Sequence, residues 1–220
     1  MQVIPAINEV QFSEVLKKIR IAQAFSSWVH LDIVEGKFAK NKTWNNPEEL
    51  KMRQASSVKH QVDLEVHLMV ENPETVVKDW AAVGAKRIIF HLEALLNMGK
   101  SDLQKLCNIG EVGLPKIEIG LAVNPETPVE DLLPYFGDFK FVLILSVNPG
   151  LACQKFNEKI LEKIKFLKNH CQGVIIEADG GINLETAKLV KEAGADIIVS
   201  ASYIWGSQNP ERAYQELMVV

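Results

Sequence analysis

Three of the five histidines stand in short apolar runs beside other polar groups. His30-Leu31-Asp32 places an imidazole and a carboxylate two residues apart, so on a strand both side chains share one face. His67 lies in Glu65-Val66-His67-Leu68-Met69, and His91 in His91-Leu92-Glu93. Asp179-Gly180-Gly181 brings a further aspartate at the end of a fourth run. A lone histidine in such a run is commonly a core residue bonded to a carbonyl. Three of them, with aspartates on neighbouring runs, are harder to dismiss. Two imidazoles and two carboxylates make a sensible donor set for one divalent metal ion: imidazole suits Zn, Fe or Co, and carboxylate suits Mn as well. A second cluster, Gly180-Gly181 together with Ala201-Ser202, is small and polar. Backbone N–H groups of this kind, with helix N-termini behind them, suit a phosphate.

Positioning these groups falls to alternating strands and helices. Apolar, β-rich runs recur at Val3–Ile7, Trp28–Val34, Val62–Val70, Arg87–His91, Lys116–Val123, Phe139–Leu145, Val174–Glu177 and Asp196–Ser200. Most are near-continuously apolar, which marks parallel strands covered on both faces. Between them, Phe12–Phe25, Asn157–Asn169 and Leu184–Ala193 carry apolar residues at helical spacing. Asn183 is placed to cap the last of these, and Gly84 and Gly194 to end the helices Glu74–Val83 and Leu184–Ala193. Pro47, Pro73, Pro128 and Pro210 sit near helix starts. Eight such units predict an α/β chain folded as a single (β/α)8 TIM barrel over residues 1–220. The rival, an open doubly wound sheet, usually carries a glycine-rich loop after its first strand. Here that turn reads Ala6-Ile7-Asn8-Glu9-Val10. In a barrel the chemistry belongs at the C-terminal ends of the strands, which is where the polar residues fall.

Composition limits the partners. The 220 residues are 47% apolar and 24% charged, ordinary for a folded soluble chain. Lys and Arg number 24 against 28 Asp and Glu, a net charge of −4 that offers no electrostatic reason to bind nucleic acid or an anionic membrane. No apolar run approaches the ~18 residues that cross a bilayer. Met1-Gln2-Val3-Ile4-Pro5 lacks the basic and apolar stretch of a signal peptide. Cys107, Cys153 and Cys171 form no CxxC pair and read as free thiols, so a cytoplasmic location is expected.

The motifs resemble the ribulose-phosphate 3-epimerase family. They are His30-Leu31-Asp32 with Gly36 and Phe38, Val66-His67-Leu68-Met69-Val70 with Asn72-Pro73-Glu74, and Phe90-His91-Leu92-Glu93-Ala94. Gly120–Pro128, Ser146–Gly150 with Gln154-Lys155-Phe156, and Asp179–Asn183 follow in family order. The resemblance implies a divalent metal on His30, Asp32, His67 and Asp179, with Asp32 and Asp179 as the two acid/base groups. It implies a small-molecule ketose phosphate as partner, most readily D-ribulose 5-phosphate converted to D-xylulose 5-phosphate through an enediolate. Inversion beside a ketone needs a proton removed on one face and returned on the other, and two carboxylates from opposite sides of a barrel can do this. Substrate and phosphate contacts are expected from Ala6, Asn8, Met69, Ser146, Asn148, Gly150, Gly180, Gly181, Ala201 and Ser202.

Several positions depart from the family pattern. Ala6 stands where the family has a serine, Val34 and Leu145 where it has methionines, and Glu35 where it has an aspartate. Leu151-Ala152-Cys153 replaces Phe-Gly-Gly, and Ala201 replaces the glycine before Ser202. Metal and acid/base positions survive while their surround has drifted, so the sugar is in question more than the chemistry. A six-carbon ketose phosphate and a non-catalytic sugar-phosphate binding protein are the alternatives, and a homo-oligomer is compatible with the sequence.

Overall fold

The computed structural model describes residues 1–54, 62–96, 98, 117–150 and 154–220. Eight parallel strands close into a barrel in chain order. They are β1 (Gln2–Ile7), β2 (Trp28–Val34), β3 (Asp63–Met69), β4 (Arg87–His91), β5 (Glu118–Val123), β6 (Phe141–Leu145), β7 (Ile175–Asp179) and β8 (Ile197–Ser200). Helices α1 (Phe12–Ala22), α2 (Pro47–Gln54), α3 (Val77–Ala82), α4 (Leu92–Leu95), α5 (Ile160–His170), α6 (Leu184–Ala193), α7 (Ser202–Trp205) and α8 (Pro210–Met218) lie between and after them. This is the expected (β/α)8 TIM barrel.

Side-chain alternation sorts each strand. Outward residues such as Leu31, Ile33, Val66, Leu68, Val142 and Ile176 join one large core with Val15 and Ile19 of α1, Ile164 of α5 and Val190 of α6. Burying each of these side chains is worth roughly 1.5–3 kcal/mol. Inward residues stack in layers drawn from alternate strands, as the pairings Ala6↔His30, His30↔Glu65, Glu65↔Arg87, Gly120↔Phe141, Leu143↔Glu177 and Glu177↔Ile197 require. From the closed end upward, the layers begin with Trp28, Arg87, Phe141 and Ile197, then Ile4, Glu65, Gly120 and Glu177. His30, Ile89, Leu143 and Val199 come next. Ala6, His67, Ala122 and Asp179 follow, and the mouth carries Asp32, His91, Leu145 and Ala201.

Several boundaries differ from expectation for local reasons. The helix expected at Glu74–Val83 is a 3-10 turn, Pro73–Thr75, followed by α3. Phe139 was expected to open β6, but its N–H is bonded to Tyr135 O at 3.0 Å and belongs to a turn. That turn closes a 3-10 helix, Val129–Tyr135, held to one irregular segment by the internal Pro134. β7 runs on to Asp179, beyond the expected Glu177, because Leu145 still pairs with Asp179. Asn183 caps α6 as expected, accepting from the N–H of Glu185 and Thr186, while Thr186 Oγ1 accepts from Asn183 N–H. Cys107, Cys153, the Leu151–Cys153 departure and the expected β5 start at Lys116 lie outside the described residues. Among the described residues no helix is long and apolar enough to cross a membrane.

Candidate active site

Inward side chains near the C-terminal ends of the strands face the barrel mouth. β2 delivers Asp32, with His30 two layers below it; β3 delivers His67 and β7 delivers Asp179 in the layer between. One ligand atom from each of the four lies within 4.8 Å of those from the others. His30 Nε2 and His67 Nδ1 each stand 3.2 Å from Asp32 Oδ1. Beside this quartet opens a cavity with about 630 Å³ of empty space, counted out to its opening into solvent.

Eight of the ten residues expected to touch substrate or phosphate line that cavity: Asn8, Met69, Asn148, Gly150, Gly180, Gly181, Ala201 and Ser202. Ala6 and Ser146 do not. Ala6 is inward and buried, packed in one cluster with Leu145 and Val199. Ser146 is buried, and its hydroxyl donates to Gly180 O while its N–H donates to Asp179 O at 2.8 Å. It braces the turn after β7 from beneath. Ala201 has φ −104°, a conformation alanine adopts freely, so the missing glycine costs nothing in backbone strain. Val34, Thr43, Leu145 and Gln154 also line the cavity. Thr43 straps the loop after β2 to its strand, donating to Asp32 O at 2.6 Å and accepting from Val34 N–H at 2.9 Å.

The sequence singles out His91 and Glu93 at a strand end but not the bonds that tie them and Glu65 to the quartet. His30 Nδ1 meets Glu65 Oε1 at 2.6 Å. His67 Nε2 meets His91 Nε2 at 3.0 Å, and His91 Nδ1 meets Glu93 Oε2 at 3.1 Å. Glu93 Oε1 accepts from Asn124 N–H at 2.9 Å and from the Thr127 hydroxyl. A hydrogen-bonded line thus runs from the loop after β5 to Asp32. The signal in the sequence was the two-residue spacing itself: Glu65 to His67, Glu177 to Asp179, and Arg87 through Ile89 to His91 all share an inward face.

Burial and charge push the site's groups apart. Burial raises the Asp179 carboxyl, and the nearby Asp32 charge raises it further, to about 7. Burial opposes ionisation of Asp32 too, but bonds from His30 and His67 prevail and hold its carboxyl well below the usual range. Burial lowers His67 to about 4, with the neighbouring His91 adding to the effect against Asp32. His30 goes the other way, because bonds to Asp32 and Glu65 outweigh its burial. Glu177 is raised well above the ordinary value by burial and by the charge of Glu65.

Glu93 gives a stability prediction. Its burial is outweighed by bonds to His91, Thr127 and Asn124 N–H, which bring its pKa from 4.5 down to about 2. A carboxyl lowered in the folded state contributes stability that is present above its unfolded pKa and is lost as pH falls through the folded one. The contribution, on the order of 3 kcal/mol, should disappear between about pH 4.5 and pH 2. Denaturant unfolding at pH 7, 4 and 2.5 should therefore show a shallower acid loss in Glu93→Gln than in the wild type. Parallel losses in the two proteins would remove Glu93 from the acid response.

Among known proteins, the model of the ribulose-phosphate 3 epimerase family matches residues 2–205. The ribulose-phosphate 3-epimerase of Bacillus subtilis is 31% identical over 223 residues, covering 99% of this chain and 98% of that protein. The cytoplasmic isoform of ribulose-phosphate 3-epimerase from Oryza sativa is 31% identical over 194 residues, 87% of this chain and 81% of its own. The crystal structure of KGPDC from Streptococcus mutans in complex with D-R5P superimposes with a TM-score of 0.75 over 99% of this chain and 95% of that one. At 15% identity that likeness concerns the fold alone.

Proposed function

The chain belongs to the ribulose-phosphate 3-epimerase family and is an isomerase acting on carbohydrates, and from that premise we propose that it inverts C3 of D-ribulose 5-phosphate to give D-xylulose 5-phosphate. A divalent metal held by His30, Asp32, His67 and Asp179, and a cytoplasmic location, are part of the same reading. The observation that carries it is the approach of two carboxylates from β2 and β7 to one cavity, with two imidazoles between them and all four ligand atoms within 4.8 Å.

The donor set fits a metal. Two imidazole nitrogens and two carboxylate oxygens suit Zn, Fe, Co or Mn. When bound, such a cation stabilises the negative charge that grows on the substrate oxygens as the proton leaves. The chain's own residues supply the rest. One of Asp32 and Asp179 takes the C3 proton, and the other delivers a proton to the opposite face. Asp32 is fixed by His30, His67 and the Thr43 strap on its carbonyl, and Asp179 by the Ser146 N–H on its carbonyl. Val34, Met69 and Leu145 give the reacting end an apolar wall that limits water. The phosphate is assigned to the rim formed by Gly180, Gly181, Ala201 and Ser202, where backbone N–H groups suit an anion.

Ala6 is buried and not among the residues lining the cavity, whereas Asn8 lines it, so Asn8 is the altered group taken to meet substrate. The reading is tested by deuterium exchange at C3 in heavy water, across ribulose 5-phosphate and six-carbon ketose phosphates, with metal content measured on the same protein. Exchange and epimerisation should be fastest with the pentulose, on protein carrying a divalent metal. Faster exchange with a six-carbon sugar would overturn the substrate, and full activity of protein without metal would overturn the metal.

A further inference from the structure

Barrel interiors are ordinarily filled by branched apolar side chains. Two layers of this one are not. Directly below His30 the odd strands contribute Glu65 and Glu177, and below these β4 contributes Arg87; all three are buried. Arg87 donates through Nη1 to Glu65 and through Nε to Glu118 at 2.8 Å, and its Nη1 lies 3.9 Å from Glu177 Oε2. The guanidinium is set against two rings of its own layer, 3.9 Å from the centroid of Phe141 and 4.7 Å from that of Trp28. Glu65 uses its other oxygen on His30 Nδ1 at 2.6 Å, and His30 then presents Nε2 to Asp32.

Withdrawing ions from water is costly, and an apolar set of similar volume commonly gives equal or greater stability. The barrel's stability therefore does not account for charges here. Their geometry has one output at the mouth, the orientation of a single imidazole. We propose that Glu65 and Arg87 are a positioning pair for His30. Glu65 accepts the Nδ1–H and so fixes the tautomer and ring plane, leaving the Nε2 lone pair for the metal. Arg87 anchors that carboxylate from below and balances its charge. The inference rests on the metal reading above.

Two variants test it. Glu65→Gln keeps size and an acceptor for His30 but removes the charge that Arg87 anchors. Glu65→Leu with Arg87→Met replaces the pair by apolar residues. In metal-stripped Glu65→Gln, Co2+ affinity should fall about 10–100-fold, the range for partners that orient a metal-binding histidine. At saturating Co2+, kcat should fall while KM for the sugar phosphate holds, because the pair does not touch substrate. The apolar double variant, which also takes Arg87 from Glu177 and Glu118, should still fold without metal and bind Co2+ at least about 10-fold more weakly. A folded double variant with wild-type Co2+ affinity overturns the proposal. So does failure of both variants to fold, since the pair would then hold the barrel rather than the imidazole. Wild-type protein that binds no Co2+ is a different result and fails the metal reading. In that case the ¹⁵N-imidazole signal of His30 decides: an Nδ1–H resonance unchanged in Glu65→Gln overturns the positioning role, and a shifted one supports it.

Discussion

Replacing either Asp32 or Asp179 with asparagine is expected to cut kcat for epimerisation by at least about 10²–10⁴-fold, the contribution of a positioned acid/base group. The substitutions preserve shape and remove the ability to carry the proton. The two aspartates approach the cavity from β2 and β7, and in the proposed mechanism each serves one face of the substrate carbon. That geometry makes the loss asymmetric in a way a simple binding role would not. In Asp179→Asn the remaining Asp32 can still remove and return the proton of one epimer, so C3 deuterium should wash in from that epimer without inversion. In Asp32→Asn the exchangeable epimer should be the other one. Both aspartates are also in the proposed ligand set, so exchange is compared at matched metal occupancy. Equal loss of exchange from both epimers in both variants, at full occupancy, would reduce the aspartates to ligands. Near-full turnover in either variant would remove it from the mechanism altogether.

The quartet was legible because strand alternation turns a two-residue spacing into a shared face. His30-Leu31-Asp32 could be read as sharing one strand face before any fold was known. The barrel was legible for a similar reason, since fully covered parallel strands are apolar on both faces. What escaped was which inward side chains the cavity touches. Ala6 and Asn8 share the inward face of the same strand end, yet of the two only Asn8 lines the cavity; Ala6 packs with Leu145 and Val199, which line it. Where the cavity meets the barrel interior depends on the stagger between all eight strands, which no single segment encodes. Ser146 escaped for another reason. A polar residue at a strand end looks like a ligand contact, and only the closeness of Gly180 O shows that its hydroxyl is used inward. Glu65 and Arg87 escaped because charged residues near the closed end of a barrel read as solvent-facing until the register pairs them with each other.

Gly180→Ala is expected to destabilise the protein by roughly 2–6 kcal/mol, and to weaken substrate binding with it. Two costs combine. Gly180 has φ +101°, where a side chain strains the backbone by about 1–3 kcal/mol. An added Cβ would also come within 2.6 Å of Val147 Cγ2 and 2.8 Å of Ser146 Oγ, and such overpacking costs about 1–3 kcal/mol. For a chain of this size each kcal/mol moves the melting temperature by about 2–4 °C, so the shift should be easy to see. Gly84 separates the two costs. It has φ +89°, yet its added Cβ would meet nothing within 4 Å, so Gly84→Ala carries the strain without the collision. It also lies between α3 and the start of β4, at the end of the barrel away from the mouth, and should leave kcat and KM at wild-type values. The collision at Gly180 has a direction as well as a size. It presses on the serine whose hydroxyl bonds Gly180 O and whose N–H bonds Asp179 O, so relief must move the rim, the Asp179 carboxylate, or both. Gly180→Ala should thus raise KM and lower kcat on top of its loss of stability. If the two variants lost the same stability, the crowding at Gly180 would be relieved without cost. If Gly180→Ala kept wild-type kinetics despite melting lower, the rim after β7 would not be where the phosphate is held.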